Sequence, residues 1–108
     1  SATLTPKGKA QIRKIALIIQ QVEKDIPSHV SWVLRIDGHT DSVPIYNQQF
    51  KSNWELSVAR AMSVLKELEK NGIPAHRLAA TGFGEHHPVY KGAPHAENRR
   101  IEIRLDTM

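Results

Sequence analysis

The sequence predicts an α+β protein, an α/β sandwich in which two helices pack on one face of a small sheet. Three observations predict it. Two stretches repeat apolar residues at spacings of three and four and open on capping signals. Three shorter stretches alternate or stop at glycine, and the order along the chain is helix, strand, helix, strand, strand. Strands interleaved with helices form one sheet with the helices over a face.

The first element opens at Thr5-Pro6, with threonine as N-cap and proline at the first helical position. Ile12, Ile15, Ala16, Ile19, Val22 and Ile26 then form one apolar stripe over about residues 6–25, and Pro27 ends it. Residues 30–37 alternate, with Trp32, Leu34 and Ile36 on one side and Ser31, Val33, Arg35 and Asp37 on the other. Gly38 breaks this strand, and a polar loop follows over 39–51.

Ser52 and Glu55 fit a capping box that starts a second helix, running to about Lys70 with a core stripe of Trp54, Val58, Ala61, Leu65 and Leu68. Asn71-Gly72 is a C-cap signal, with Pro74 beyond. Residues 78–83 form a short strand, 85–97 a loop, and 100–105 a last strand with Ile101, Ile103 and Leu105 inward and Arg100, Glu102 and Arg104 outward.

Composition narrows the function classes. The 108 residues suffice for one domain, spanning 1–108. Fifteen Lys+Arg against eleven Asp+Glu give a net charge of +4, which suits an anionic partner without proving one. The chain has no cysteine, so disulfides, thiolate nucleophiles and Cys-based zinc sites are excluded. No apolar run approaches the roughly 20 residues needed to cross a bilayer. Ser1 opens a polar segment with no signal peptide, so we expect the C-terminal part of a larger protein, with any anchor and a first strand upstream.

One constellation carries chemistry. Gly38-His39-Thr40-Asp41 follows a strand, and Asn53, Ser57 and Arg60 cluster on one side of the second helix, with Leu56 at the edge. At about 100° per residue this direction lies a quarter turn from the core stripe. The helix start adds free N–H groups and a positive dipole end. A carboxylate, a guanidinium, a hydroxyl and an amide so arranged suit a ligand with adjacent ammonium and carboxylate groups. Asp41 would take the ammonium and Arg60 would fork the carboxylate.

Four segments in register carry a resemblance. Ile36-Asp37-Gly38-His39-Thr40-Asp41, Asn53-Trp54-Glu55-Leu56-Ser57-Val58-Ala59-Arg60-Ala61, Gly82-Phe83-Gly84 with Pro88, and Asn98-Arg99-Arg100-Ile101-Glu102-Ile103 resemble the OmpA-like peptidoglycan-binding domain. Ser42-Val43-Pro44-Ile45 and Phe50-Lys51-Ser52-Asn53-Trp54-Glu55-Leu56 resemble its MotB-type branch. The 41–53 loop is longer than in the shorter forms, so rim contacts do not carry over.

The resemblance implies a β-α-β-α-β-β fold with a small mixed sheet, its first strand truncated here. It implies noncovalent binding of the peptidoglycan stem peptide through meso-diaminopimelate. Asp41 and Arg60 match the family's ligand residues. Thr40, Asn53, Leu56 and Ser57 line the same site, and Arg99 matches a further contact to stem-peptide carboxylates. It also implies an envelope protein in a Gram-negative periplasm, membrane contact only through upstream regions, a possible homodimer, and no cofactor.

Plainer readings compete. Asp41 could cap a turn, and Arg60 could be a surface arginine or a structural partner of Asp41 or Glu55. His39 is expected to brace its loop by hydrogen bonding. Trp32 and Trp54 are expected in the core, and the scattered lysines on solvated helix faces. Alternation places Arg99 on the core side and Arg100 outward. No metal site is expected, though His86, His87 and His95 share a loop. Two other function classes remain. A hydrolase acting on peptidoglycan lacks a nucleophile–base–orienter set, and a nucleic-acid module lacks a recognition pattern.

Overall fold

The computed structural model describes residues 3–41, 52–87 and 99–107. Helix α1 spans Pro6–Glu23, strand β1 Trp32–His39, helix α2 Asn53–Lys70, strand β2 Leu78–Gly84 and strand β3 Arg100–Thr107, with a 3₁₀ turn at Ala75–Arg77. The strand order is β2-β1-β3, β1 running parallel to β2 and antiparallel to β3. The expected α+β arrangement with a mixed sheet is therefore present.

Local chemistry explains the helix ends. Thr5 Oγ1 accepts from Gly8 N at 3.0 Å, and Ser52 Oγ accepts from Glu55 N at 3.4 Å, so each cap satisfies an orphan donor. After α2 the chain turns at Gly72, whose φ of +101° excludes most side chains. Helix α1 ends at Glu23, short of the expected 25, because the chain tightens into turn hydrogen bonds from Lys24, Asp25 and Ile26.

The core joins Ile12 and Ala16 of α1, Ala61, Val64 and Leu68 of α2, and Trp32, Leu34 and Ile36 of β1, with Ile73. Both helices thus cover one sheet face. Ile101 and Ile103 of β3 pack against this cluster. Trp32 is buried as expected, its carbonyl accepting from Arg77 Nη1 at 3.0 Å while that guanidinium lies 4.6 Å over the ring.

Four expectations fail. Val22 belongs to the expected stripe of α1 yet is 38% exposed near the helix end. Gly38 does not end β1; it pairs with Gly82 on one side and Ile101 on the other. Leu105 is exposed, because it sits on an edge strand beyond the helices. The buried stripe of α2 is Asn53, Leu56, Ser57, Ala61, Val64 and Leu68, whereas Trp54 and Val58 are 49% and 43% exposed.

Glycine explains the rotated helix. A Cβ on Gly38 would overlap the Ser57 carbonyl, and one on Gly82 would lie 2.6 Å from Ser57 Oγ. The start of α2 therefore rests directly on bare backbone of β1 and β2. That contact accepts the small Ser57 and turns bulky Trp54 outward.

Candidate functional site

Three chain segments converge where β1 and β2 end beneath the start of α2. The Ser57 hydroxyl donates to the Trp54 carbonyl at 2.8 Å and accepts from Gly84 N at 3.0 Å. The Gly84 carbonyl accepts from Thr40 N at 2.8 Å. Thr40 Oγ1 donates to the Asp41 carbonyl at 3.0 Å, and Asn53 Nδ2 donates to the same oxygen at 3.3 Å. Each of these buried polar groups has a partner, which fixes the backbone at Asp41.

Asp41 itself is 5% exposed. Its Oδ2 accepts from Arg99 Nη1 at 2.8 Å, with the arginine side chain half exposed. Arg60 lies on α2 at the helical spacing set by Asn53 and Ser57 and is partly buried. Among the described residues its guanidinium has no hydrogen bond or ion pair. Leu56 is buried beside Ser57. Thus Thr40, Asp41, Asn53, Ser57 and Arg99 are joined by hydrogen bonds directly or through Gly84, while Leu56 and Arg60 flank them on α2.

His39 departs from its expected role. It is 4% exposed, yet among the described residues neither ring nitrogen has a hydrogen-bond partner. Its ring stacks on Phe83 at 5.0 Å, and it lies on the helix-free face of the sheet, away from the polar end of α2. Burial, with Arg100 adding to it, pushes the imidazole below its ordinary pKa. Glu102 opposes this weakly, its Oε2 lying 3.9 Å from Nε2.

That face carries features absent from the sequence reading. Asp37, expected to face outward, is 1% exposed and takes a two-pronged contact from Arg35, both at 2.9 Å. Arg100 donates to Glu102 at 2.6 Å, which holds that carboxyl below its usual range. Outward alternation was legible; burial beneath a layer of arginine was not.

The glycines at 38, 82 and 84 are the positions whose function was missed. A glycine inside a strand signals close backbone approach, and that signal was available in the sequence. His86 stacks on Trp54 at 4.6 Å and His87 lies edge-on to Phe83. His95, Pro44 and Pro88 lie outside the described residues, as do the segments 42–51 and 88–98. Among the described residues no cluster could hold a metal ion, and no helix is long and apolar enough to cross a membrane.

Comparison with known proteins gives this geometry a family. Residues 1–102 match the model of the OmpA family. Motility protein B of Bacillus subtilis is 36% identical over 103 residues, which cover 91% of this chain and 40% of that protein. The probable lipoprotein YiaD of Escherichia coli is 30% identical, covering 100% of this chain and 46% of the other. The crystal structure of the C-terminal domain of Helicobacter pylori MotB superimposes with a TM-score of 0.82 at 29% identity, covering 100% of this chain and 80% of that one. The chain spans less than half the length of these two curated relatives. The fold, the ordered motifs and these matches agree: the chain belongs to the OmpA family and has MotB-type relatives.

Proposed function

We propose that this domain binds peptidoglycan without turning it over and anchors a larger envelope protein to the cell wall. The observation that carries this reading is a buried carboxylate, Asp41, fixed by its backbone and set in an OmpA-family frame, with a guanidinium on α2 left unengaged among the described residues. The ligand is the free zwitterionic end of diaminopimelate in the stem peptide. Asp41 takes its ammonium and Arg60 its carboxylate, each through charge-assisted hydrogen bonds worth about 1.5–3 kcal/mol.

Arg99 neutralises Asp41 before the ligand arrives. The incoming ammonium displaces it, and the freed guanidinium meets a stem-peptide carboxylate. Thr40 and Asn53 keep the Asp41 backbone from following the ligand outward. The buried Ser57 hydroxyl is spent on Trp54 and Gly84, which argues for a structural role over a nucleophilic one.

The relatives come from Bacillus as well as Helicobacter and Escherichia, so family membership leaves the envelope type open; we place the domain in a periplasm or its equivalent. Co-sedimentation with purified sacculi tests the reading. The folded domain should pellet with sacculi and release no soluble muropeptides. A domain that stays in the supernatant, or one that liberates fragments, would overturn it.

A further inference from the structure

The sheet face opposite the helices holds a second polar concavity of about 380 Å³. Its walls include Arg35, Asp37, His39, Arg100, Glu102 and Arg104. Three guanidiniums face two carboxylates, so the lining carries one surplus positive charge before its two histidines, His39 and His87, are counted. Asp106 touches Arg35 at 3.8 Å but does not line the cleft.

Most of these charges are matched within the face. Arg35 is committed to Asp37, and Arg100 donates from Nε to Glu102 and from Nη2 to the His87 carbonyl at 3.0 Å. Two buried groups are not matched. Among the described residues both ring nitrogens of His39 and Nη1 of Arg100 have no hydrogen-bond partner, the Glu102 carboxylate lying 3.9 Å from Nε2. These residues are direct cross-strand neighbours, His39 on β1 opposite Arg100 on β3, so their side chains rise from the same spot. An unpaired buried donor is costly, and two side by side define a place for an acceptor.

We propose that this face carries a small-oxyanion site, in which a ring N–H of His39 and Nη1 of Arg100 donate to one oxygen of a carboxylate or phosphate group. Arg104, its side chain 59% exposed and already donating from Nη2 to Glu102 at 3.2 Å with its Nε 3.7 Å from Asp37, stands at the mouth and supplies the second oxygen's partner from its remaining N–H groups. Phe83 backs the imidazole and keeps it upright. The exposed His87 lies edge-on to both rings, at 6.4 Å from His39, and turns aside to admit the ligand. The site is separate from the Asp41 cleft and does not depend on peptidoglycan recognition.

Nitrogen-15 NMR of the side chains of His39 and Arg100 tests this directly on the whole chain. Sodium acetate and sodium phosphate are titrated separately at constant ionic strength, with chloride making up the balance. The expected result is a saturable shift of the His39 ring nitrogens and of the Arg100 guanidinium, with the His39 titration moved to higher pH at saturation. Asp37, Glu102, Arg35, Arg100, Arg104 and His87 face that imidazole and are common to both arms. Saturation by acetate alone assigns a carboxylate ligand, by phosphate alone a phosphate ligand, and by both the shared oxyanion. Arg104→Gln, a change at an exposed side chain, should weaken binding several-fold with the fold intact. Shifts that grow linearly with either salt, or that saturate elsewhere while His39 stays still, overturn the proposal.

Discussion

The Arg99 guanidinium and the buried Asp41 carboxylate meet at 2.8 Å, joining the start of β3 to the end of β1. One side of this pair is half open to water, so its contribution to stability is about 1 kcal/mol or less. On the proposed reading its larger effect is on binding, because Arg99 would hold the place that the ligand's ammonium takes. Arg99→Gln should tighten the domain several-fold for free diaminopimelate by calorimetry. A loss as deep as that of an Asp41 variant would instead mean that Arg99 does not compete with the ammonium for Asp41.

Asp41→Ala and Arg60→Ala should each remove about 2–4 kcal/mol of binding, since either change strands the opposite charge of the ligand. Sacculus co-sedimentation measures the loss, and circular dichroism checks that the helices persist. Normal pelleting by both variants would remove these residues from the site.

Gly38→Ala should be among the most damaging single-methyl changes in the chain. The added Cβ collides with the Ser57 carbonyl, a backbone atom that cannot rotate away. Overpacking of this kind costs about 3 kcal/mol, enough to lower Tm by 10 °C or more in a domain this small. Ser57→Ala should cost about 1–3 kcal/mol, because it strips the buried Gly84 N–H of its acceptor. Thermal melts of both rank the two effects.

The pH response follows from His39. Its pKa is lowered in the fold, so the unfolded chain, titrating near about 6.5, binds the proton more readily. The neutral imidazole therefore stabilises fully above that value, and this share is lost as pH falls below it toward the folded pKa. His39→Phe keeps the stack on Phe83 and removes the proton. Urea midpoints should fall between neutral and mildly acidic pH in the native protein and stay flat over that window in the variant. Glu102, also lowered, contributes above its ordinary carboxylate range, and its loss at lower pH should appear in both proteins.

Thr5→Ala tests the first cap. It removes the acceptor for Gly8 N and should cost about 1 kcal/mol, read as a shift in urea midpoint without a change in slope.

Periodicity and capping made both helices and all three strands legible, because those signals are local. The rotation of α2 was not, because it depends on bare backbone at Gly38 and Gly82 meeting Ser57 across the sheet. A stripe built from Trp54 and Val58 is the better apolar face in isolation; close packing against glycine favours the smaller one. His39 was misread for a similar reason. Its sequence neighbours are polar, whereas its spatial neighbours are Phe83 and a guanidinium that leaves its nitrogens unmatched. Helical spacing and the strand end pick out Thr40, Asp41, Asn53, Ser57 and Arg60 before any motif does, and the hydrogen bonds linking Thr40, Asn53, Ser57 and Gly84 supply the physical reason that all but Arg60 occur together.

The Ser57 hydroxyl, wedged between Trp54 and Gly84, ties the start of α2 to the end of β2. The bond to Gly84 joins stretches 27 residues apart in the chain, so the proposed site is complete only when both are docked. A partly assembled copy would have no weakened grip to offer; it would have none. If the domain tethers as proposed, tethering strength in a population would track the number of finished molecules, and a bound wall fragment would in turn shield the domain from proteolysis.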